Sequence, residues 1–315
     1  MAEKSMIKFS DGKRFSVLGP SLNRLFGGKV RRIALDAGFT CPVRDGSRGT
    51  LGCRYCDALG TRARYVQPEC SVREQLALGI AGCVERNLEA QRFIAYFQAY
   101  TNTYAPAEQL RSIYAEGLSD SRVVGMAIAT RPDCLPDDVL DVLAEFSQRT
   151  FLWVEMGLQS SRNETLHAMG RGHSVEEFQM AAERLRQRGI RFCSHVILGL
   201  PGDTPEDFWA AARILNESGA WGAKIHNLYI DRDAPLAREW ETGSISLMTL
   251  EEYAESVAEF LARLSPDILI HRLAGEAPRG RLLAPKWAGH KRAFLRRLDQ
   301  LLKERDLYQG KFLTE

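Results

Sequence analysis

Cys41-Pro-Val-Arg-Asp-Gly-Ser-Arg-Gly-Thr-Leu-Gly-Cys53-Arg-Tyr-Cys56 follows directly on a short apolar run, Arg32–Asp36. The gap between the first two cysteines is rich in glycine and aspartate, so it is a loop able to fold back on itself. Three thiols gathered by such a loop suit two metal centres. One is an iron–sulfur cluster with one iron left open; the other is a zinc site whose fourth ligand lies elsewhere. Cys70 and Cys83 are the candidates for that fourth ligand, but both fall at a predicted helix and neither belongs to a second CxxC pair. The chain has seven cysteines, and its first residues carry Lys4, Lys8 and Asp11 with no apolar leader. The cysteines therefore read as reduced thiols, ligands or core residues of a cytoplasmic protein, not as a disulfide framework.

Beyond the loop, apolar runs alternate with amphipathic stretches. Strands are predicted at Arg32–Asp36, Phe93–Gln98, Val123–Thr130, Phe151–Met156, Phe192–Leu198 and Lys224–Ile230. Helices are predicted at Ser71–Asn87, Pro106–Glu116, Pro136–Ser147, Val175–Arg188, Pro205–Ser218 and Leu250–Leu264. Ser174 with Glu177, and Thr249 with Glu252, have the spacing of a capping box, and Thr204-Pro205 starts a helix with proline in its first turn. Six strand–helix units in series predict an α/β protein with a parallel sheet, its strands apolar because both faces are covered. Periodicity leaves open whether that sheet is flat or curled. In either case the cysteine loop sits at the carboxyl ends of the strands, where ligand sites gather. The organisation predicted is an N-terminal segment (1–30), a core (31–265) containing the loop 41–56, and a basic C-terminal extension (266–315) with a segment Ile268–Leu273 and a helix Lys286–Lys303.

Of the 315 residues, 45% are hydrophobic and 26% charged, which fits a globular domain and excludes wholesale disorder. A net charge of +2 gives the whole molecule no field to recruit nucleic acid, so any such contact must come from a local patch. No run approaches the roughly 18 apolar residues that a membrane span needs. One patch is basic: Arg279, Arg281, Lys286, Lys291, Arg292, Arg296, Arg297 and Lys303 surround Trp287 and are opposed only by Asp299. It suits phosphate contact and base stacking, or equally a helix docked through Trp287, Phe294 and Leu295 with its charges in water.

The cysteine loop, with its long first gap, resembles that of the elongator-type branch of the radical S-adenosylmethionine (SAM) superfamily, in particular the YhcC/YtqA-like bacterial family. The more usual superfamily spacing is CxxxCxxC. The resemblance runs on through Tyr96-Phe-Gln-Ala-Tyr-Thr-Asn-Thr-Tyr104, Ala129-Thr-Arg-Pro-Asp-Cys134, Val154-Glu-Met-Gly-Leu-Gln-Ser160, Met169-Gly-Arg-Gly-His173 and His195-Val-Ile-Leu-Gly-Leu-Pro-Gly202. It implies a partial (β/α)6 TIM-type barrel in which Cys41, Cys53 and Cys56 hold a [4Fe-4S] cluster. The open iron would bind SAM, and reductive cleavage would yield a 5′-deoxyadenosyl radical, with flavodoxin or ferredoxin as reductant. It also implies tRNA, at a wobble-uridine side chain, as substrate. No acetyltransferase segment follows, so acetyl transfer is not expected, and Asp231-Arg232-Asp233 replaces the lysine and glycine often seen in these relatives.

Several apolar strands end in groups a core would reject: Gln98, Thr130-Arg131, Glu155, His195 and His226. Glu155 is expected to contact SAM, or else to pair with Arg131. Gln98 stands where the superfamily contacts the SAM amino group, although the glycine-glycine-glutamate pattern is missing. Gln159, Ser160 and Arg171 are further candidates for SAM or substrate, Ser160 equally for a helix cap, and Gly199 for a turn near adenine. Cys134 is a candidate cavity residue and Cys193 a packing one. The rival readings are a radical SAM enzyme acting on a small metabolite or a protein, and a zinc-stabilised RNA-binding protein without catalysis.

Overall fold

The computed structural model describes residues 9, 12–57, 60, 62, 66–67, 69–86, 92–275, 277 and 280–313. Asn87, Arg279 and residues 1–8 and 10–11 of the expected N-terminal segment lie outside them. Seven strands form one parallel sheet in the order β1-β2-β3-β4-β5-β6-β8, curled into a half-barrel. They are β1 (Val30–Leu35), β2 (Arg92–Phe97), β3 (Val123–Thr130), β4 (Phe151–Gln159), β5 (Arg191–Leu198), β6 (Gly222–Asn227) and β8 (Leu269–Arg272). Between them run α2 (Val72–Glu85), α3 (Ala107–Gly117), α4 (Asp137–Arg149), α5 (Asn163–Ala168), α6 (Val175–Gln187), α7 (Pro205–Glu217), α8 (Leu236–Glu241) and α9 (Leu250–Arg263). Among the described residues the first α-helix is α1 (Leu18–Leu25) and the last is α10 (Lys291–Glu304).

Alternation along each strand builds two cores. Phe93, Ala95, Met126, Ile128, Leu152, Val154 and Phe192 face outward and pack under the helices. Ile94, Ala127, Trp153 and Cys193 face inward and meet Leu18 and Leu22 of α1. This helix lies against both edge strands, β1 and β8, and Val17 makes a parallel bridge to Ile270. It thus closes the inner layer where the sheet itself stays open. The sequence hid α1 because Gly19-Pro20 reads as a turn, yet proline is tolerated in a helix's first turn, where its missing N–H costs nothing.

The helix starts carry the anticipated chemistry: Glu177 N–H donates to Ser174 Oγ and Glu252 N–H to Thr249 Oγ1, each at 3.2 Å. Two expectations change. The run Lys224–Ile230 is not one strand; β6 ends at Asn227, and β7 (Ile230–Asp231) pairs antiparallel with β9 (Leu282–Ala284). The segment Ile268–Leu273, assigned above to the C-terminal extension, supplies β8, which joins the main sheet beside β6. The half-barrel therefore continues past residue 265, because β6 would otherwise leave a row of unpaired backbone groups.

In the basic extension, Trp287 stacks on Tyr253 with centroids 5.2 Å apart and donates to Met248 O at 2.9 Å. Phe294 is buried beside it. Arg297 is bound to Glu251 and Glu304, Lys303 to Asp299 and Arg281 to Asp231. The tryptophan is thus a docking anchor and unavailable for base stacking, whereas Arg292 and Arg296 remain exposed. Truncating the plug tests the role of α1. Leu22→Ala should lower unfolding free energy by about 2–4 kcal/mol in urea titration, and a change under 1 kcal/mol would mean that α1 is not part of the cooperative core.

Candidate active site

The loop from Cys41 to Cys56 closes on itself. Gly52 N–H donates to Val43 O at 2.7 Å, Arg48 N–H to Pro42 O at 2.7 Å and Cys56 N–H to Cys53 O at 2.9 Å. Gly52 has φ of 72°, and a Cβ on it would press on the Arg44 guanidinium at 3.0 Å, so glycine is needed there twice over. The fold-back brings Cys41, Cys53 and Cys56 together as thiols against Val43, Tyr55 and Tyr100. All three line one inner cavity of about 200 Å³. Gln98, Glu155, Gln159, Arg171, His195 and Lys224 line it too, and several of its walls are shared with an outer cavity of about 520 Å³ towards β6 and β8.

Arg171 reaches this cavity from the loop after α5. Its Nη1 lies 3.7 Å from Cys53 Sγ, and its Nε donates to His173 Nε2 at 2.9 Å. Burial and the adjacent guanidinium hold His173 down at about 2, so it is neutral, with Nδ1–H donating to Ser174 O at 3.1 Å. Gln159 sits at a bulge in β4 with φ of 73°. Gly157 leaves the space into which the Gln159 amide and the Arg171 guanidinium fold.

Glu155 is held by side chains from four strands. Its carboxylate is fully buried and accepts from Tyr96 OH at 2.7 Å, Trp153 Nε1 at 3.1 Å and His195 Nε2 at 3.1 Å, and it pairs with Lys224. Burial alone would raise its pKa, but Lys224 and the His195 hydrogen bond outweigh that and hold it well below the usual range. Burial lowers Lys224 to about 8 despite Glu155, and lowers His195 and His271 to about 4. Arg131 does not pair with Glu155; it binds Asp133 at 2.9 Å and the Arg171 carbonyl at 2.6 Å.

Ser160 and Gly199 line neither of these cavities. Ser160 Oγ donates to Asp203 at 2.9 Å and accepts from Arg162 N–H at 3.1 Å, which is a loop-capping role. Gly199 turns the chain at φ of 87° beside Met248. Cys134 lines a separate external cleft, and Cys193 packs in the inner layer. Sequence reasoning missed Lys224, Tyr96 and Arg272. Lys224, in Gly-Ala-Lys-Ile-His-Asn, carried the same signal as Glu155: a charge in an otherwise apolar strand.

The thiols suit a multi-iron cluster. Burial, with the Cys53 sulfur alongside, pushes the Cys56 thiol up to about 12, so a thiolate there calls for a cationic partner such as a metal centre. Cys83 packs in the outer core and Cys70 donates to Gln67 at 3.5 Å, so neither completes a zinc set.

A curled parallel sheet carrying a three-thiol loop over the carboxyl ends of its strands defines an iron–sulfur enzyme of the partial-barrel class. The chain belongs to the radical SAM superfamily: the Radical SAM superfamily model matches residues 45–215, and the Radical_SAM C-terminal domain model residues 220–304. The family uses a [4Fe-4S] cluster and SAM. The chain is 38% identical over 293 residues to protein YhcC of Escherichia coli (strain K12), covering 93% of each. It is 37% identical over 300 residues to YtqA of Bacillus subtilis (strain 168), covering 95% of this chain and 93% of that one. In fold it resembles Methanocaldococcus infernus Elp3, with TM-score 0.66 at 17% identity over 89% of this chain and 64% of that one. A partial match, 26% identical over 160 residues, is the tRNA uridine(34) acetyltransferase of Dehalococcoides mccartyi (strain CBDB1), covering 50% of this chain and 34% of that one. No helix among the described residues is long and apolar enough to cross a membrane.

The buried pair gives a stability prediction. Lys224→Met leaves the Glu155 carboxylate buried without its cation and should cost about 3–5 kcal/mol at pH 7. Glu155→Gln combined with Lys224→Met should recover much of that loss in urea titrations. The depressed Glu155 pKa contributes stability that is present above about pH 4.3, the unfolded value, and lost as pH falls towards the folded one. Glu155→Gln should therefore flatten the acid limb of the stability curve; an unchanged limb contradicts an ionised Glu155.

Proposed function

We propose that this radical SAM enzyme acts in the cytoplasm on a wobble-uridine side chain of tRNA, with Cys41, Cys53 and Cys56 as the cluster ligands. The observation that carries the proposal is the shared inner cavity of these three thiols, backed by Gln98, Gln159 and Arg171. When bound, the cluster would supply the electron that breaks the carbon–sulfur bond of SAM to give methionine and a 5′-deoxyadenosyl radical, with flavodoxin or ferredoxin as the outside donor. Arg171 screens the Cys53 thiolate and offers its remaining N–H groups to the SAM carboxylate. Gln98 and Gln159 orient SAM from the tips of β2 and β4. Glu155 acts one layer below as a positioning residue, holding Tyr96, His195 and Lys224 in place through hydrogen bonds and charge. The barrel walls keep bulk water from the reacting atoms.

The tRNA reading is supported by the fold likeness to Elp3, by the partial match to a tRNA uridine(34) acetyltransferase and by the exposed Arg292 and Arg296 on α10. For the chemistry, each of Cys41→Ala, Cys53→Ala and Cys56→Ala should lose iron loading and 5′-deoxyadenosine formation after anaerobic reconstitution. Retained formation in all three would sink the ligand assignment. For the substrate, tRNA affinity should fall steeply and linearly with salt on logarithmic axes. Arg292→Gln with Arg296→Gln should weaken it about 3–10-fold and reduce the slope by about 2. An absence of salt-dependent tRNA binding would favour a small metabolite or a protein.

A further inference from the structure

The inner face around Lys224 holds more positive than negative charge. Arg32 and Arg272 both act on Lys224, and Glu155 is the carboxylate beside it. Glu155 is committed to Lys224. Arg32 lies over the Tyr96 ring at 5.7 Å. Arg272, at the end of β8 in the ladder position beside Lys224, lines both cavities. Among the described residues its guanidinium has neither a hydrogen bond nor a carboxylate partner.

The outer cavity also carries two carboxylates, Asp57 and Asp231, and both face Arg281, Asp57 at 3.9 Å. Asp231 accepts from Arg281 Nη2 at 2.7 Å, and Arg62 pairs with Asp36. The neighbouring wall holds a second unmet polar group: His226 Nε2 is buried without a partner among the described residues. Burial and Arg272 keep that imidazole neutral, so it has a single N–H to give. Asn227 fixes the loop after β8 by accepting from Gly275 N–H at 3.0 Å, so the segment bearing Arg272 is held against β6. A guanidinium without a carboxylate of its own in a low-dielectric wall favours an anion placed beside it. A guanidinium with open N–H groups in a concave wall is the group best suited to an oxyanion.

We infer that Arg272 is the oxyanion-recognising residue of the outer cavity, and that the substrate enters with a carboxylate or phosphate directed at it. The inference rests on the outer cavity being the substrate's, with Arg171, on the Cys53 side, left to SAM. It is tested on the full chain without cluster or SAM, at constant ionic strength. Inorganic phosphate and malonate are the two probes, followed through the side-chain nitrogen resonances of His226 and His195.

One probe should give a saturable shift, and which of them does so separates phosphate from carboxylate recognition. Arg272→Gln should weaken binding at least tenfold, while Arg272→Lys, which keeps the charge, should lose less. An equal response in Arg272→Gln, or no saturable response to either anion, overturns the assignment. So does loss of S-adenosylhomocysteine binding in Arg272→Gln, which would give the guanidinium to the cofactor. Iron loading and SAM cleavage measured on the same preparations keep the two readings apart. A loaded, SAM-cleaving protein with no anion response fails this inference alone, and an anion response in a chain that takes up no iron fails the radical reading alone.

Discussion

The ion pair between Glu155 and Lys224 spans the barrel from β4 to β6, and the rest of the interior is arranged around it. A buried carboxylate is tolerable only with its charge matched and its lone pairs used. Meeting that demand takes Tyr96 from β2, Trp153 from β4 itself and His195 from β5. A flat sheet cannot bring those side chains to one oxygen pair; the curl can. The polar cluster and the curvature of the sheet are thus two aspects of one constraint. Such a pair contributes more to register than to net stability, because apolar residues of equal volume would pack there at less cost.

What that register positions is the layer above it. Gln159 and the Arg171 guanidinium stand over the cluster of charges, using the space left by Gly157. The cysteine loop closes over this layer through Gly52, and His173 fixes the rotation of Arg171 by accepting from its Nε. Each thiol is held by short-range backbone hydrogen bonds, while the cavity floor is held by contacts between distant strands. The loop is therefore a local construction seated on a global one.

This division explains how much could be read in advance. Residues acting locally were legible: Cys41, Cys53 and Cys56 by spacing, the capping boxes at Ser174 and Thr249 by sequence offset, and the parallel sheet by the alternation of elements. Residues acting through the curl were not. Glu155 was visible as a misfit in an apolar strand, but its partner lay 69 positions on, at Lys224, and nothing in either segment names the other. Arg131 was the nearer cation in sequence, yet Asp133, two residues away, claims it. Helix α1 was hidden by Gly19-Pro20, and β8 by its shortness, because a four-residue strand shows little periodicity. The family resemblance carried the fold, whereas the side-chain partners had to come from the structure.

The central claim is that three thiols hold a cluster whose fourth iron is open to SAM. Electron paramagnetic resonance of the reconstituted, dithionite-reduced protein, recorded with and without SAM, tests it most directly. The account predicts a [4Fe-4S]⁺ signal whose g values shift when SAM is added. A cluster signal indifferent to SAM, or zinc in place of iron, would contradict it.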